Sequence, residues 1–212
     1  MILGFKIPLN FRLPYFASSP VDFWKRWHIS LSSWLRDYLY ISLGGNRNHR
    51  YRNIMITMLL GGLWHGAAWT FIVWGAFHGA IIVATHYLAS LRIFRGFSES
   101  SAWLPGLLKW AITFYLVLIG WVFFRAQDFS AAIAVLRSMH GFDLPTAGVT
   151  GMTAFTLTVT ALATMHFFDW IVLRYSNGIE NRIWLFWPLL ILFQFICFLF
   201  GAPSNAFIYF QF

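Results

Sequence analysis

The sequence predicts an all-α protein that crosses a membrane several times, and its composition and its long uncharged segments support this class. Of the 212 residues, 59% are hydrophobic and only 10% are charged, whereas soluble domains usually carry about 25% charged residues. A helix needs about 20 apolar residues to cross the hydrocarbon of a bilayer. We therefore expect a polytopic helical membrane protein with about four or five membrane segments and an interfacial amphipathic helix. The segments that lack Asp, Glu, Lys and Arg are residues 53–91, 110–124, 149–168 and 183–212.

The basic residues lie mainly at the ends of the apolar segments. The net charge is +8, but Arg50 and Arg52 precede the first uncharged segment and Arg92 follows it. This distribution is typical of cytoplasmic loops and of contacts with lipid headgroups. The expected partner of the basic residues is therefore the lipid bilayer and not nucleic acid. The single cysteine, Cys197, lies within an apolar segment, which excludes a disulfide framework.

An interfacial helix is predicted over residues 20–43. Ser19 is suited to the N-cap, Pro20 to the first helical position and Asp22 to the first turn. The glycines at 44–45 favour the left-handed conformation that ends helices. At 100° per residue, the aromatic side chains share one arc and the charged side chains share the other. His28 falls inside the aromatic arc, so we expect it to point into the membrane or the helix bundle.

Residues 53–91 would be about 58 Å long as one straight helix, nearly twice the thickness of the hydrocarbon. The segment must therefore break or form a re-entrant and a spanning part, and "LLGGLWHGAAW" is the expected break. The small-xxx-small pairs Gly62/Gly66 and Gly75/Gly79 predict close helix contact on both sides of it. Further spanning helices are predicted over 107–125, 149–172 and 183–202.

Two of the seven histidines stand out as candidates for chemistry. An ionisable side chain in the membrane is costly and marks a functional site unless it only hydrogen-bonds between helices. His65 lies at the glycine-rich break, and His28 interrupts the aromatic face. A neutral imidazole can take a proton from a hydroxyl and return it. The residues alone predict a membrane protein with a histidine site. The histidines in or near apolar segments are His65, His78, His86 and His166.

A metal site is not expected, and no bound cofactor is expected. His78 and His86 share a helix face but lie about two turns apart, too far to chelate one ion. No carboxylate near either residue completes a set of ligands. A transporter or channel stays open as an alternative class, because broken helices and intramembrane histidines also mark transport sites.

Four motifs follow one another in a recognisable order: "FWKRWHISLSSWLRDYLYISLGGNR", "TMLLGGLWHGAAWTFIVWGAFHG", "GWVFFRAQDFSAAIAVLRSM" and "FIYFQF". Together they resemble the membrane-bound O-acyltransferase (MBOAT) family, in the bacterial branch that O-acetylates alginate and related polysaccharides. The resemblance implies a multi-pass protein of the bacterial cytoplasmic (inner) membrane. Its activity would be the transfer of an acyl group to a hydroxyl at a buried site.

The resemblance also implies roles for individual residues. His65 follows "LGGLW" and matches the family's near-invariant histidine, which would act as the base on the attacking hydroxyl or position the acyl group. His28, in "RWHIS", would line the same cavity and orient the reactants. His78, in "WGAFHG", is expected to be structural, because it lies about 140° around a continuous helix from His65.

The implied donor is a cytoplasmic thioester, acetyl-CoA above all, and the implied partner is an extracytoplasmic acetyltransferase that modifies the polymer. Peptidoglycan O-acetylation and D-alanyl transfer to teichoic acid are alternatives within the family. Family members are longer than this chain, which therefore looks like the C-terminal half of an MBOAT domain. A missing N-terminal half is then a further expected partner, and an inactive fragment is a further alternative.

Overall fold

A computed structural model describes residues 8–99 and 102–140, together with the helical positions 164, 166, 167, 170 and 174. The described residues from 8 to 140 belong to one compact unit. The isolated helical positions belong to a second unit, in which Phe167 and Trp170 stack with ring centroids 6.2 Å apart. They fall on or just after the predicted span 149–172, of which the rest lies outside the described residues, as does all of the predicted span 183–202.

The regular structure of the described residues is entirely helical, as the predicted all-α class requires. Two helices, α4 and α6 as defined below, are long and apolar enough to cross a membrane. The α-helices are α1 (Pro20–Arg26), α2 (Ile29–Trp34), α3 (Arg50–His65), α4 (Trp69–Ser90), α5 (Arg92–Glu99), α6 (Trp103–Arg125) and α7 (Phe129–His140). A short 3-10 helix covers Pro14–Phe16 and a π-helical turn covers Leu35–Tyr40.

The start of α1 agrees with the sequence, but the single helix predicted over 20–43 is wrong. Ser19 Oγ accepts a hydrogen bond from the backbone N–H of Asp22 at 3.0 Å. The helix then breaks at His28, whose backbone is left-handed (φ 44°). Asn10 satisfies the groups that the break exposes, because its carbonyl oxygen accepts from Ile29 N at 2.9 Å. Its side-chain oxygen accepts from the N–H and the hydroxyl of Ser30, at 3.0 and 2.6 Å. The partner of the break thus comes from the irregular segment before α1.

The predicted stop at "LGGN" is confirmed. Gly44 and Gly45 both have positive φ, at 105° and 55°. Asn53, on the first turn of α3, stabilises the chain turn that contains Gly44 and Gly45. Its side chain is fully buried, and its Nδ2 donates to the carbonyl oxygens of Gly45 at 3.0 Å and Asn48 at 2.6 Å.

Helices α3 and α4 form a tight hairpin whose bend is the predicted glycine-rich break. The chain turns at Gly66, with φ 153° and ψ 159°, a conformation that residues with side chains rarely adopt. Gly62 and Gly75 then bring the two backbones together. A Cβ on Gly62 would lie 2.3 Å from the carbonyl oxygen of Phe71, and one on Gly75 would lie 2.3 Å from that of Met58.

Helix α6 packs on α1 and on the hairpin, and Trp24 of α1 lies where the three packing clusters meet. The first is centred on Phe23 and Val117, the second on Ile54 and Met58, and the third on Trp74 and Phe123, and Trp24 packs against all three. The short helix α1 therefore contacts α3, α4 and α6 through Trp24.

Two helices are absent from the sequence prediction, α5 and α7. Both lie outside the segments predicted over 53–91 and 107–125. Helix α7 begins with a side-chain cap, since Asp128 Oδ1 accepts from Ala131 N at 2.8 Å and from Ser130 Oγ at 2.6 Å. These hydrogen bonds, that from Ser130 foremost, hold the pKa of the carboxyl below its usual range. The "DFSA" motif that starts α7 was therefore visible in the sequence.

Replacing Gly75 by Ala should destabilise the protein because the new methyl group would meet the backbone of α3 and not a mobile side chain. Overpacking of this kind costs about 1–3 kcal/mol, so the thermal unfolding midpoint in detergent should fall by several degrees. Gly106→Ala is the matched control: nothing lies within 4 Å of its added methyl group, and its midpoint should stay or rise. An equal midpoint for both variants would contradict the close packing of α3 and α4.

Candidate active site

His65 is the last residue of α3 and lies in a box of aromatic rings. The ring centroids of Trp64, Trp74 and Phe124 lie 5.0, 5.2 and 5.0 Å from that of His65. Phe71 is 6.1 Å away. The first three rings stand edge-to-face with the imidazole, with interplanar angles of 77–89°. This arrangement surrounds a polar ring with apolar area but leaves the site partly open, because His65 is only partly buried.

The bend at Gly66 explains why these rings meet. A Cβ at this position would lie 2.9 Å from the ring of Phe71, so the turn is as tight as the chain allows. Reversal of the chain places Phe71 and Trp74, from the first two turns of α4, against the end of α3. Phe124, from the last turn of α6, closes the box.

The structure brings His28 close enough to His65 for the two imidazoles to interact electrostatically. His65 lies outside both candidate spans, and burial lowers its pKa to about 4, with the charge of His28 as the second cause. The ring of His65 is therefore uncharged at neutral pH and carries one nitrogen lone pair that can accept a proton. His28 itself faces Phe11, with ring centroids 6.1 Å apart.

Two residues that interact with His65 each carry a buried polar atom without a hydrogen-bond partner within the described ranges. One is Nδ1 of His28 and the other is Nε1 of Trp74, a residue only 3% exposed. Buried polar groups are normally satisfied, and an orphan in a native structure requires an explanation. The indole N–H is a donor only, whereas the imidazole nitrogen donates or accepts according to its tautomer. A bound molecule with a carbonyl or hydroxyl group would satisfy them.

His78 lies on the far side of Trp74, 5.0 Å between ring centroids, and is only 2% exposed. Its Nδ1 accepts a hydrogen bond from Trp24 Nε1 at 3.3 Å. A Cβ on Gly120 of α6 would lie 2.5 Å from its Nε2, so α6 closes tightly over the ring. The predicted angle of about 140° between His65 and His78 does not apply, because the helix is interrupted at Gly66. Both imidazoles contact the same indole, and the contacts of His78 fit the structural role expected of it.

The other histidines lie away from the box or outside the unit that holds it. His86 is at the opposite end of the hairpin, bonded to Arg50. His49 is exposed, and His140 is exposed on α7, where Nδ1 donates to the carbonyl oxygen of Leu136 at 2.6 Å and Nε2 contacts the hydroxyl of Tyr115. His166 is a helical position of the second unit. In the part of the chain that the structure describes, no three His, Cys, Asp or Glu side chains lie together as a metal site would require.

An apolar groove of about 370 Å³ runs beside the aromatic box between the π-helical turn and α3. Trp64, the neighbour of His65, lies at its edge. The lining residues are Trp34, Leu35, Tyr38, Leu39, Leu60 and Trp64.

Trp74 and Phe124 were not among the predicted site residues. Trp74 stands in the "WGAFHG" motif, one turn before His78, but only the fold shows that it separates the two histidines.

The model of the membrane-bound O-acyltransferase family matches residues 1–126, more than half of the chain and the part that contains His28 and His65. The chain belongs to this family. Its membership and the two apolar helices α4 and α6 identify an MBOAT membrane protein.

Individual relatives are similar over most of the chain. The probable alginate O-acetylase AlgI of Pseudomonas aeruginosa is 46% identical over 79% of this chain and 32% of its own length. AlgI of Azotobacter vinelandii is 47% identical over 74% of this chain and 32% of its own. The peptidoglycan O-acetyltransferase of Helicobacter pylori is 46% identical over 68% of this chain and 27% of its own. This MBOAT chain therefore spans about a third of the length of the curated relatives it matches.

Replacing Trp24 by Phe should change the tautomer of His78. Phe keeps an aromatic ring at this position but is smaller than Trp and loses the N–H that fixes the proton of His78 on Nε2, so ¹⁵N spectra should show a mixture of tautomers. Stability should fall by about 1 kcal/mol for the lost hydrogen bond and further for the lost packing volume. Trp110→Phe is the control, since it removes the comparable bond to the carbonyl oxygen of Tyr15 at 2.8 Å. It should cost a similar amount but leave the His78 spectrum unchanged; an unchanged spectrum in Trp24→Phe would contradict the assignment.

Replacing His28 by Gln should raise the pKa of His65, because the charge that disfavours protonation of His65 is removed. The value should stay below 6.5, since burial is the larger cause of the shift. A pH titration of the His65 ring by NMR measures it. His49→Gln, which removes an exposed histidine, should leave it unaltered. If both variants titrate as the wild type does, the two imidazoles do not interact.

Proposed function

We propose that this chain carries the reaction centre of a membrane-embedded O-acetyltransferase. The acetyl group would be moved toward a hydroxyl acceptor, for O-acetylation of an exopolysaccharide such as alginate. The observation that carries the proposal is the aromatic box, in which the uncharged ring of His65 lies beside the orphan polar atoms of His28 and Trp74. The names of the relatives suggest that the transferred group is acetyl and that the polymer is a polysaccharide. The aromatic box supports His65 as the base.

In this proposal His65 is the general base. Its imidazole takes the proton of the attacking hydroxyl as the oxygen forms a bond to the acyl carbon, and the carbon–sulfur bond of a thioester donor such as acetyl-CoA breaks. The proton then passes to the departing thiolate, so His65 is regenerated. Exclusion of water by the four aromatic rings would protect the acyl group from hydrolysis.

His28 has a positioning role in the same proposal. Its orphan Nδ1 would hydrogen-bond one of the reactants and orient it toward His65. The left-handed backbone at His28 supports this role, because a non-glycine residue in that conformation costs about 1–3 kcal/mol and persists where the surroundings enforce it. The hydrogen bonds from Ile29 and Ser30 to Asn10 hold the break in place.

Acetyl transfer to peptidoglycan is the second candidate. The identity to the peptidoglycan enzyme, 46%, equals that to AlgI of Pseudomonas aeruginosa, although it covers less of the chain. Both candidates use the same donor and the same base and differ in the acceptor. In either case the protein would be a multi-pass component of the bacterial inner membrane. It would pass acetyl groups to an extracytoplasmic acetyltransferase, and it would act together with the family segments that this chain does not span.

The test compares His65→Ala with wild type in cells that carry the intact locus, at matched amounts of protein in the membrane. Loss of a general base lowers a rate by about 10²–10⁴, so ester on the exopolysaccharide should disappear while polymer yield stays normal. His49→Ala is the control, and it should leave the ester unchanged. Peptidoglycan acetyl and teichoic acid D-alanyl esters are measured in the same cells, and loss of one of those instead would reassign the acceptor.

Ester that is unchanged on every acceptor in His65→Ala would reject acyl transfer at this residue. A solute or proton flux that requires His65, without any ester product, would favour a transporter. These results separate the classes because transport leaves no covalent product.

A further inference from the structure

The end of the hairpin away from His65 carries a cluster of basic side chains from three helices. Lys25 comes from α1, Arg50 from α3 and His86 from α4. Arg50 Nη2 is 2.8 Å from His86 Nδ1, and both Arg50 and Lys25 lie close enough to His86 to interact with it electrostatically. The cluster is about 22 Å from His65 along α3, at 1.5 Å per residue. It is therefore separate from the aromatic box.

No carboxylate neutralises this cluster among the side chains that the structure describes. Asp22, one turn from Lys25, is bound to Arg26 at 2.8 Å and to the N–H of Ser18 at 3.1 Å. Asp37 is bound to Arg36 at 2.7 Å. Asp128 caps α7. Arg50, the partly buried cation of the cluster, thus lies near Lys25 without the counter-charge that such a cation normally has.

Arg50 has donors that the described chain leaves unused. One of its terminal nitrogens bonds to His86, but its Nε is buried and has no partner. A guanidinium presents donors in a planar fork that matches two oxygens of a phosphate. Arg50 is also the first residue of α3, whose first turn has no acidic residue and no side-chain cap, and a helix start of this kind attracts anions.

The surroundings of the cluster are apolar and exposed. Tyr87 and Leu88, next to His86, are 54% and 43% exposed, and Tyr51, next to Arg50, is 41% exposed. His86 lies in the last turns of the candidate span Trp69–Ser90. Basic residues with exposed tyrosines at the end of a membrane helix are typical of the headgroup layer of a bilayer.

We propose that Lys25, Arg50 and His86 form a binding site for a phosphate group, and that its ligand is the headgroup of an anionic phospholipid. The Arg50 guanidinium binds the phosphate oxygens. His86 holds the guanidinium in position, and Lys25 adds charge from the next helix. The site stabilises the fold by tying α1 to the open end of the hairpin and is independent of acyl transfer.

The experiment follows thermal unfolding of the purified protein in a neutral detergent by tryptophan fluorescence. Phosphatidylglycerol should raise the midpoint by roughly 5–10 °C when it is present at about 100 times its dissociation constant. Phosphatidylcholine with the same acyl chains, whose choline cation cancels the phosphate charge, should give a much smaller rise. Inorganic phosphate is the third ligand; a full rise with phosphate alone would keep the phosphate site and overturn its assignment to a lipid.

The decisive variants are Arg50→Gln and Arg47→Gln, which remove the same charge from the same region. Arg47 is exposed and outside the cluster. The rise with phosphatidylglycerol should vanish in Arg50→Gln and persist in Arg47→Gln, and an equal rise in both variants would overturn the proposal. So would the lack of any rise in the wild type.

Lys25 is exposed, so its replacement should not prevent folding. If Arg50→Gln does not fold, Lys25→Gln decides the question. A rise smaller than that of the wild type supports the cluster, and a rise equal to it rejects the cluster.

Discussion

The close approach of α3 and α4 at Gly62 and Gly75 is the constraint on which the rest of the described structure depends. With backbone against backbone, neither position accommodates even a methyl group. In a membrane, where apolar side chains gain little from meeting one another, such contact supplies the packing that holds helices together. It also sets the distance at which Trp74 of α4 faces His65 at the end of α3. In a wider hairpin, Trp74 would no longer contact His65, and the aromatic box would not form.

Trp24 extends this constraint to the other helices. Its indole packs against all three clusters of the core and donates to His78, so α1 is held at the junction of α3, α4 and α6. The histidines divide accordingly. His78 lies at the centre, almost fully buried and hydrogen-bonded, whereas His65 lies at the edge, partly open and ringed by aromatic carbon. The same residue type is thus enclosed in the core at one position and partly accessible at the other.

The two ends of the hairpin also carry different chemical groups. Its bend carries the uncharged imidazole of His65 and the orphan N–H of Trp74, and its open end carries the cationic Arg50. Charged groups are costly in hydrocarbon, so a site for a neutral reaction partner fits the bend and an anion fits the open end. The two ends can therefore recognise different molecules without sharing a residue.

By itself, the sequence determined what neighbours along the chain decide. The apolar runs gave the helical membrane class, Ser19 gave the start of α1, and the glycines gave the stop at 44–45 and the break before α4. It also singled out His28 and His65, with a resemblance that the family match bears out. Only the tertiary structure decided the break at His28, because the hydrogen bonds that stabilise the break end on Asn10. It also decided which rings surround His65, because Trp74 and Phe124 come from two other helices. Helical periodicity assigns a residue to a face of its helix, but it does not say which distant residue packs against that face. Contacts between residues far apart in the sequence depend on how the whole chain folds.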